Sequence, residues 1–324
     1  MLLLSRRDVA ELLTLDECID AVEAAFRLRG EGKLHPSGIL GVPASGGGFH
    51  VKAALLAPPR NFFAAKVNGN FSDNPRRFGL PAIQGVIVLC DGESGRPLAV
   101  MDSIEITILR TGAATAVAAR LLARPASRVV TVCGCGNQGR VQLLALARVL
   151  SLTRAFVWDI DEQRARTMAN ELSAVLSMEI SPAIDLSEAV SQSDVCVTCT
   201  PARAPFLLRE WLRPGTFVAA VGADSPEKQE LEPSILSSAK VVVDVLDQCA
   251  QIGELHHALK AGLMRREQVH AELSEIVARL KQGRASDDEI TLFDSTGTAL
   301  QDVSAAAAVY EKAVRTDRGL RFDA

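Results

Sequence analysis

Aromatic side chains are scarce, with 11 Phe, two Trp and one Tyr making up 4% of 324 residues. The core of such a chain has to be filled by Ala, Val, Leu and Ile. An excess of positive charge is also lacking: 35 Lys and Arg stand against 39 Asp and Glu, for a formal net charge of −4. With a sequence pI near 5.8, this excludes the usual electrostatic footprint of a nucleic-acid binder. No stretch approaches the roughly 18 uninterrupted apolar residues of a membrane span, so no membrane association is expected. The opening MLLLSRRD places a short apolar run ahead of its arginines, which is not the pattern of a secretory leader. The seven cysteines are odd in number and several sit in apolar, strand-like runs. Reduced thiols and a cytoplasmic location are expected rather than a disulfide framework. Fixed-period repeats and low-complexity segments are missing too. What is present is 48% hydrophobic and 23% charged residues with 23 Gly and 14 Pro. That composition belongs to a folded chain with room for about two domains and excludes disorder, collagen and coiled coil.

The first thirty residues read as helix, with Thr14 and Glu17 at capping-box spacing and Cys18, Val22, Ala25 and Phe26 at helical intervals. From Gly38 to Val100 the pattern changes to short apolar runs cut by Gly, Pro and Asn. FFAAKV and GVIVLC read as strands, NGNFSDNPRR as a loop, and DGESG as a hairpin turn, which together suggest an antiparallel sheet. Residues 104 to 122 are Ala-rich and helical. In the middle of the chain, near-continuous apolar strands (RVVTVCG, RAFVWD, DVCVTCTP, TFVAAVGAD, KVVVDVL) alternate with helical segments. This indicates a parallel sheet covered on both faces. EITLFDSTG adds a strand and turn, and QDVSAAAAVYEKAV a closing helix. The expected fold class is α/β, with a central Rossmann-type domain at 120–296. A discontinuous α+β second domain is expected from 1–119 with 297–324.

The strongest local signal is Gly134-Cys-Gly136-Asn-Gln-Gly139, which follows an expected strand and opens an expected helix. The first glycine permits the tight turn, the second lets a pyrophosphate approach the backbone, and the third lets helix pack on strand. The helix N-terminus offers free N–H groups and a positive dipole end to phosphates. Twenty residues beyond Gly139, AFVWD ends at Asp159, whose carboxylate is placed to accept from the adenosine ribose hydroxyls. The other explanation is that Asp159 starts a turn with Asp161. A carboxylate there favours NAD(H), while Arg164 and Arg166 nearby leave room for NADP(H).

Three further residues could carry chemistry on a carboxylate-bearing substrate. Arg110 ends the apolar stretch ITIL and heads an Ala-rich helix, where it needs an anionic partner or a wet cleft. That partner could simply be Glu105 or Asp102. Lys66 is flanked by apolar residues in FFAAKVNGN; an edge-strand or snorkelling lysine is the more ordinary explanation, and a buried one has a pKa that desolvation lowers. Asp224 follows VAAVGA at the carboxyl end of an expected parallel strand, where sites in such sheets form. Before Ser-Pro it could equally cap a turn. His50 and Lys52 in GFHVKAA could point into the same space as the HPSGIL segment. Glu254, His256, His257, His270 and Glu272 match no zinc spacing, so no metal is expected.

RTGAA (110–114), GCGNQG (134–139), VTCTP (197–201), VGADSPEKQEL (221–231) and FDSTGTALQD (293–302) together resemble the ornithine cyclodeaminase/mu-crystallin family. The likeness runs from about Lys66 to Tyr310, and the wording is nearest to archaeal-type alanine dehydrogenases. The resemblance implies a homodimer with a discontinuous substrate domain and a central NAD-binding domain, and hydride chemistry at the α-carbon of a small amino or imino acid. It also implies that Asn137 and Gln138 sit at the pyrophosphate, and that Thr200, Val221, Gly222, Lys228 and Ser295 line the rest of the dinucleotide. Lys66, Arg110 and Thr296 would bind the substrate, with Lys66 and Asp224 catalytic and Asp224 serving the nitrogen. One departure is that Ser37, Gly38 and Ile39 supply no basic residue where some relatives have one. Two alternatives stay open: an ornithine or lysine cyclodeaminase without net redox, and a non-catalytic protein binding NAD(P)H or another small ligand.

Overall fold

The computed structural model describes residues 1–34, 37–56 and 60–323. His35 and Pro36, which begin the HPSGIL segment, lie outside the described residues. The chain forms two compact units, 1–110 with 298–324, and 111–297. The division falls inside the helix Ile104–Leu122, earlier than the 119/120 expected.

The first unit is built on a seven-stranded sheet. Its order is Leu320–Arg321, Leu2–Leu4, Pro97–Asp102, Ile83–Asp91, Phe62–Asn70, Gly47–Leu55, Gly38–Ala44. Leu2–Leu4 runs parallel to Pro97–Asp102, and every other pairing is antiparallel. The opening leucines were expected to be helical, but they complete the sheet, and helix begins only at Arg6 behind a Ser5 capping box. The expected loop NGNFSDNPRR likewise contains a short helix, Asn74–Phe78. The Thr14–Glu17 capping box opens the helix Leu15–Gly30, as its spacing predicts. On the strand Phe62–Asn70, Ala64, Lys66 and Asn68 are buried while Phe63 and Val67 are exposed. That alternation follows from the two-residue period of a strand. The helix Ala299–Arg315 packs on this strand, on its neighbour Gly47–Leu55 and on Leu15–Gly30. Its run of small residues, Ala305 to Ala307, is fully buried and permits the close approach.

The second unit is built on an eight-stranded parallel sheet, in the order Ala271–Glu272, Lys240–Val243, Thr291–Asp294, Phe217–Ala220, Val195–Thr198, Val129–Cys133, Arg154–Trp158, Glu179–Pro182, and also holds the two-stranded sheet of Arg203–Leu207 and Gln229–Leu231. The strands Val195–Thr198, Phe217–Ala220 and Thr291–Asp294 are buried at every residue, the sign of a sheet covered on both faces. The fold class is therefore α/β, as expected. The chain leaves Val129–Cys133 to one side through Arg154–Trp158 and later returns on the other side through Val195–Thr198. The strand order reverses there, which in open parallel sheets is where ligands bind.

Candidate active site

The glycine-rich loop leaves the strand Val129–Cys133 and enters the helix Asn137–Val149, whose N-cap is Gly136 and carries no side-chain cap. The first N–H groups of that helix are left for an anion. Gly134 and Gly139 have separate steric reasons. Gly134 has φ +104°, where a side chain is strained, and a Cβ there would lie 2.9 Å from the Cys199 carbonyl oxygen. A Cβ on Gly139 would sit 1.8 Å from the Gly134 oxygen. At Gly136 a Cβ would meet nothing, which leaves the space above the helix N-terminus open. Gln138 presents a buried, partnerless Oε1 beside it. These features fit a pyrophosphate.

Asp159 makes the turn with Asp161 that the sequence offered and also holds the glycine-rich loop. Its Oδ1 accepts the Asp161 N–H at 3.0 Å, the turn, and its Oδ2 accepts the Cys135 N–H at 2.8 Å, which ties it to the glycine-rich loop. A groove of about 260 Å³ beside it is lined by Gly136, Arg140, Asp161, Gln163 and Arg164. Arg164 lies 3.4 Å from Asp161, and Arg166 pairs with Glu162 at 3.0 Å.

Sequence reasoning missed a set of buried carboxylates that hold the loops after the parallel strands. Glu230, fully buried, accepts from the Thr200 N–H at 2.6 Å, the Thr200 hydroxyl at 2.7 Å and the Gly222 N–H at 2.9 Å. A Cβ on Gly222 would fall 2.4 Å from the Glu230 carboxylate, so glycine is the residue this contact requires. Val221 donates its N–H to the Thr198 carbonyl at 2.8 Å. Asp244 accepts the Thr296 hydroxyl at 3.1 Å, the Ser295 hydroxyl at 3.4 Å and the Gly297 N–H at 2.7 Å. Burial pushes Glu230 above the ordinary carboxyl range, and it pushes Glu254, which accepts the Glu230 N–H at 2.7 Å, up to about 9. The available signal was acidic residues inside apolar strand ends, where an unpaired carboxylate would be costly.

Asp224 and Lys228 meet each other across a turn, Nζ to Oδ1 at 2.5 Å. Of the histidines weighed as metal ligands, the ring Nε2 of His257 meets the Lys228 carbonyl at 2.8 Å and that of His270 the Gln282 carbonyl at 2.7 Å.

The first unit holds Lys66 and Arg110. Lys66 stands on an interior strand between Gly47–Leu55 and Ile83–Asp91, so the edge-strand explanation does not hold. Its side chain is 4% exposed and its Nζ lies 2.7 Å from Oδ2 of Asp302. Arg110 places Nε 3.1 Å from Oδ1 of the same carboxylate and donates from Nη1 to the Gln301 Oε1 at 2.8 Å. Its expected partners are engaged elsewhere: Glu105 pairs with Arg6 at 2.6 Å, and Asp102 accepts the Ile104 N–H at 2.8 Å. Burial, countered by Asp302 and reinforced by Arg110 and Lys52, lowers Lys66 to about 7. Burial also opposes the charge of Asp302, yet Lys66 and Arg110 hold it below the ordinary carboxylate value. Lys52 stands directly opposite Lys66 across the strand pair, whereas His50 pairs with Asn68.

A glycine-rich turn at the switch point of a parallel sheet defines a dinucleotide-binding α/β protein. The chain matches the ornithine cyclodeaminase/mu-crystallin family over residues 1–317 and belongs to it. It is 41% identical to the alanine dehydrogenase of Archaeoglobus fulgidus over 321 residues, covering 99% of this chain and 98% of the relative. The solved archaeal alanine dehydrogenase dimer with bound NAD superposes with a TM-score of 0.94 at 40% identity, over 100% of this chain and 99% of that one. The Δ1-pyrroline-2-carboxylate reductase of Thermococcus litoralis, in complex with NADH and L-proline, superposes with a TM-score of 0.95 at 35% identity, over 99% and 100%.

Proposed function

We propose that this chain is an NAD(H)-dependent oxidoreductase acting at the α-carbon of a small amino or imino acid. The observation that carries the reading is the buried pair Lys66 and Arg110, two cations sharing the single carboxylate of Asp302. A buried surplus of positive charge calls for an anion, and an α-carboxylate meets it with paired, charge-assisted hydrogen bonds. In this reading residues 120–296 form the cofactor domain, and 1–119 with 297–324 the substrate and dimerisation domain. Gly134, Gly136 and Gly139 admit the pyrophosphate to the N-terminus of the helix, with Asn137 and Gln138 beside it. Asp159 receives the ribose hydroxyls, which favours NAD(H). Thr200, Val221, Gly222, Lys228 and Ser295 line the remainder, and Thr296 contributes a hydroxyl to the substrate. When bound, the nicotinamide supplies or accepts the hydride.

The chain's own residues do the rest. Arg110 and Lys66 fix the carboxylate so that the α-carbon is presented in one orientation. Asp224 accepts a proton from the substrate ammonium in the oxidative direction and returns it to the nitrogen in the reductive one. Lys228, 2.5 Å from Asp224, is the partner of that carboxylate when no ammonium is present.

A homodimer is part of the same reading. The sheet face that carries Leu40, Val42, Phe49, Phe63, Val67 and Val86 leaves each of these at least 36% exposed. A contiguous apolar patch of that kind is what a second copy covers. The described helices include none long and apolar enough to cross a membrane. The seven cysteines are free thiols, which suits a reducing, cytoplasmic compartment.

The test is a panel of 2-oxo acids with ammonia, together with pyrroline-2-carboxylate, followed by NADH absorbance. Net NADH consumption is the expected result. Proline released from ornithine with no net cofactor change would replace this reading with cyclodeamination. Tight NADH binding without turnover on the whole panel would replace it with a binding role.

A further inference from the structure

Asp302 closes the motif FDSTGTALQD but has no role in the chemistry above, yet it is the partner of both substrate-binding cations. It lies 1% exposed in the first turn of the helix Ala299–Arg315, on a face otherwise made of Ala, Val, Ser and Gln. Burying a carboxylate in such surroundings costs several kcal/mol unless it is paired. Here the pairing is divided, one oxygen to Lys66 and the other to Arg110, so neither cation is fully neutralised.

We propose that Asp302 is the positioning residue of the anion site, holding Lys66 and Arg110 side by side and favouring the ammonium form of Lys66 before the substrate carboxylate arrives. This rests on the proposed function. The charged groups facing Lys66 come from three elements: Asp302 from the last helix, Arg110 from Ile104–Leu122, and Lys52 from the neighbouring strand. Thr107 lies 3.5 Å away on Ile104–Leu122, and the residue paired with Lys66 on Ile83–Asp91 is apolar Ile87. Buried Cys18, from Leu15–Gly30, faces Arg110 and Asp302.

Of the three charges around Lys66, only that of Asp302 favours its protonation. Removing this charge leaves burial, Arg110 and Lys52 acting together against the ammonium, and the lysine becomes a neutral amine that binds a carboxylate poorly. The carboxylate also fixes direction. With one oxygen on each cation, at 2.7 Å from the Lys66 ammonium and 3.1 Å from the Arg110 Nε, the carboxylate gathers both donors at one place, where a substrate carboxylate can be met by the two together. A purely structural ion pair would hold helix to sheet and have no consequence for substrate affinity against pH.

The test compares Asp302→Asn and Asp302→Glu with the wild type. Lys66 is titrated directly by 15N NMR of lysine-labelled protein, its signal assigned with Lys66→Arg. In Asp302→Asn the titration should move down by one pH unit or more, and Asp302→Glu should restore it. On the imino acid turned over by the wild type, Asp302→Asn at pH 7.5 should raise KM at least tenfold with a smaller change in kcat. Its NADH affinity should stay within twofold. In Lys66→Arg, whose guanidinium stays charged, the fall of kcat/KM above pH 7 should vanish. A Lys66 titration unmoved in Asp302→Asn, or a KM unchanged there, overturns the proposal. Should Asp302→Asn not fold, a fall of kcat/KM persisting in Lys66→Arg overturns it instead. The NMR titration needs no substrate, so failure on the whole panel bears on the proposed function alone.

Discussion

The two units bury carboxylates by opposite means. In the first, Asp302 is met by two side-chain cations, Lys66 and Arg110. In the second, Glu230, Glu254 and Asp294 accept backbone N–H groups: Thr200 and Gly222 for the first, Glu230 and Leu231 for the second, Leu255 and Glu254 for the third. The proton affinities divide the same way. Asp302 is held below its ordinary value, whereas burial raises Asp294 to about 7 and Glu254 to about 9. A carboxylate satisfied by cations leaves those cations able to share a second anion. A carboxylate satisfied by peptide N–H groups fixes the backbone that supplies them and attracts no further charge. The first scheme suits a place where a substrate anion comes and goes, and the second suits loops that must stay where they are.

The comparison can be broken most severely at Arg110. Arg110→Ala removes one of the two cations, and truncating one partner of a buried charge pair costs about 2–5 kcal/mol. Steady-state kinetics should then show kcat/KM reduced by roughly two to three orders of magnitude. NADH binding, read by fluorescence, should be retained. A loss of NADH binding in step with activity would mean that the two schemes are not separate.

A smaller effect is expected in the second unit. Glu230→Gln keeps the volume but replaces one acceptor oxygen with an amide donor facing the N–H groups of Thr200 or Gly222. NADH affinity by calorimetry should weaken about tenfold, the equivalent of roughly 1.4 kcal/mol. The pH dependence of substrate KM should be unchanged, because that belongs to the first unit.

The smallest effect sharpens the contrast through stability. Glu254 has a folded value near 9 against an ordinary 4.5, so the folded state binds the extra proton between those limits. Its contribution is lost as pH rises through that window. Lys66 has a folded value near 7 against 10.5, so the unfolded chain binds the extra proton, and the penalty it carries below pH 7 is relieved as pH rises towards 10.5. The two regions therefore tilt stability in opposite directions above neutrality. Glu254→Gln mimics the uncharged acid already present at pH 6. Its melting temperature should match the wild type at pH 4, below the ordinary carboxyl value, and exceed it at pH 9 by about 2–4 °C for each kcal/mol relieved. Equal melting curves at both pH values would show that Glu254 does not titrate in this window.

The legible parts of the molecule were those with a local cause. The turn at Gly134, the helix start at Gly136 and the close contact at Gly139 are set within six residues, and their spacing announced them. The Thr14–Glu17 capping box was visible for the same reason. Lys66 was read as an edge or snorkelling lysine because a strand segment does not reveal how many neighbours it has. Arg110 was given Glu105 or Asp102 as partners because those acids are near in sequence. Its real partner is 192 residues away. Asp302 was read only as the end of FDSTGTALQD and given no role, although a charged residue on an otherwise apolar helical face is seldom buried without a partner. Glu230 and Asp244 were passed over for the same reason. The N–H groups they accept lie on loops after other strands, and only the sheet brings those loops together.

By itself, the order of residues determined the succession of strands and helices, the dinucleotide turn and the family, since each depends on periodicity or on motifs of a few consecutive positions. Which charges meet was decided by the tertiary structure. Electrostatic pairing acts over a few ångströms of space and is indifferent to distance along the chain, so a lysine on a strand, an arginine on one helix and an aspartate on another become one site only when the sheet and its covering helix are in place.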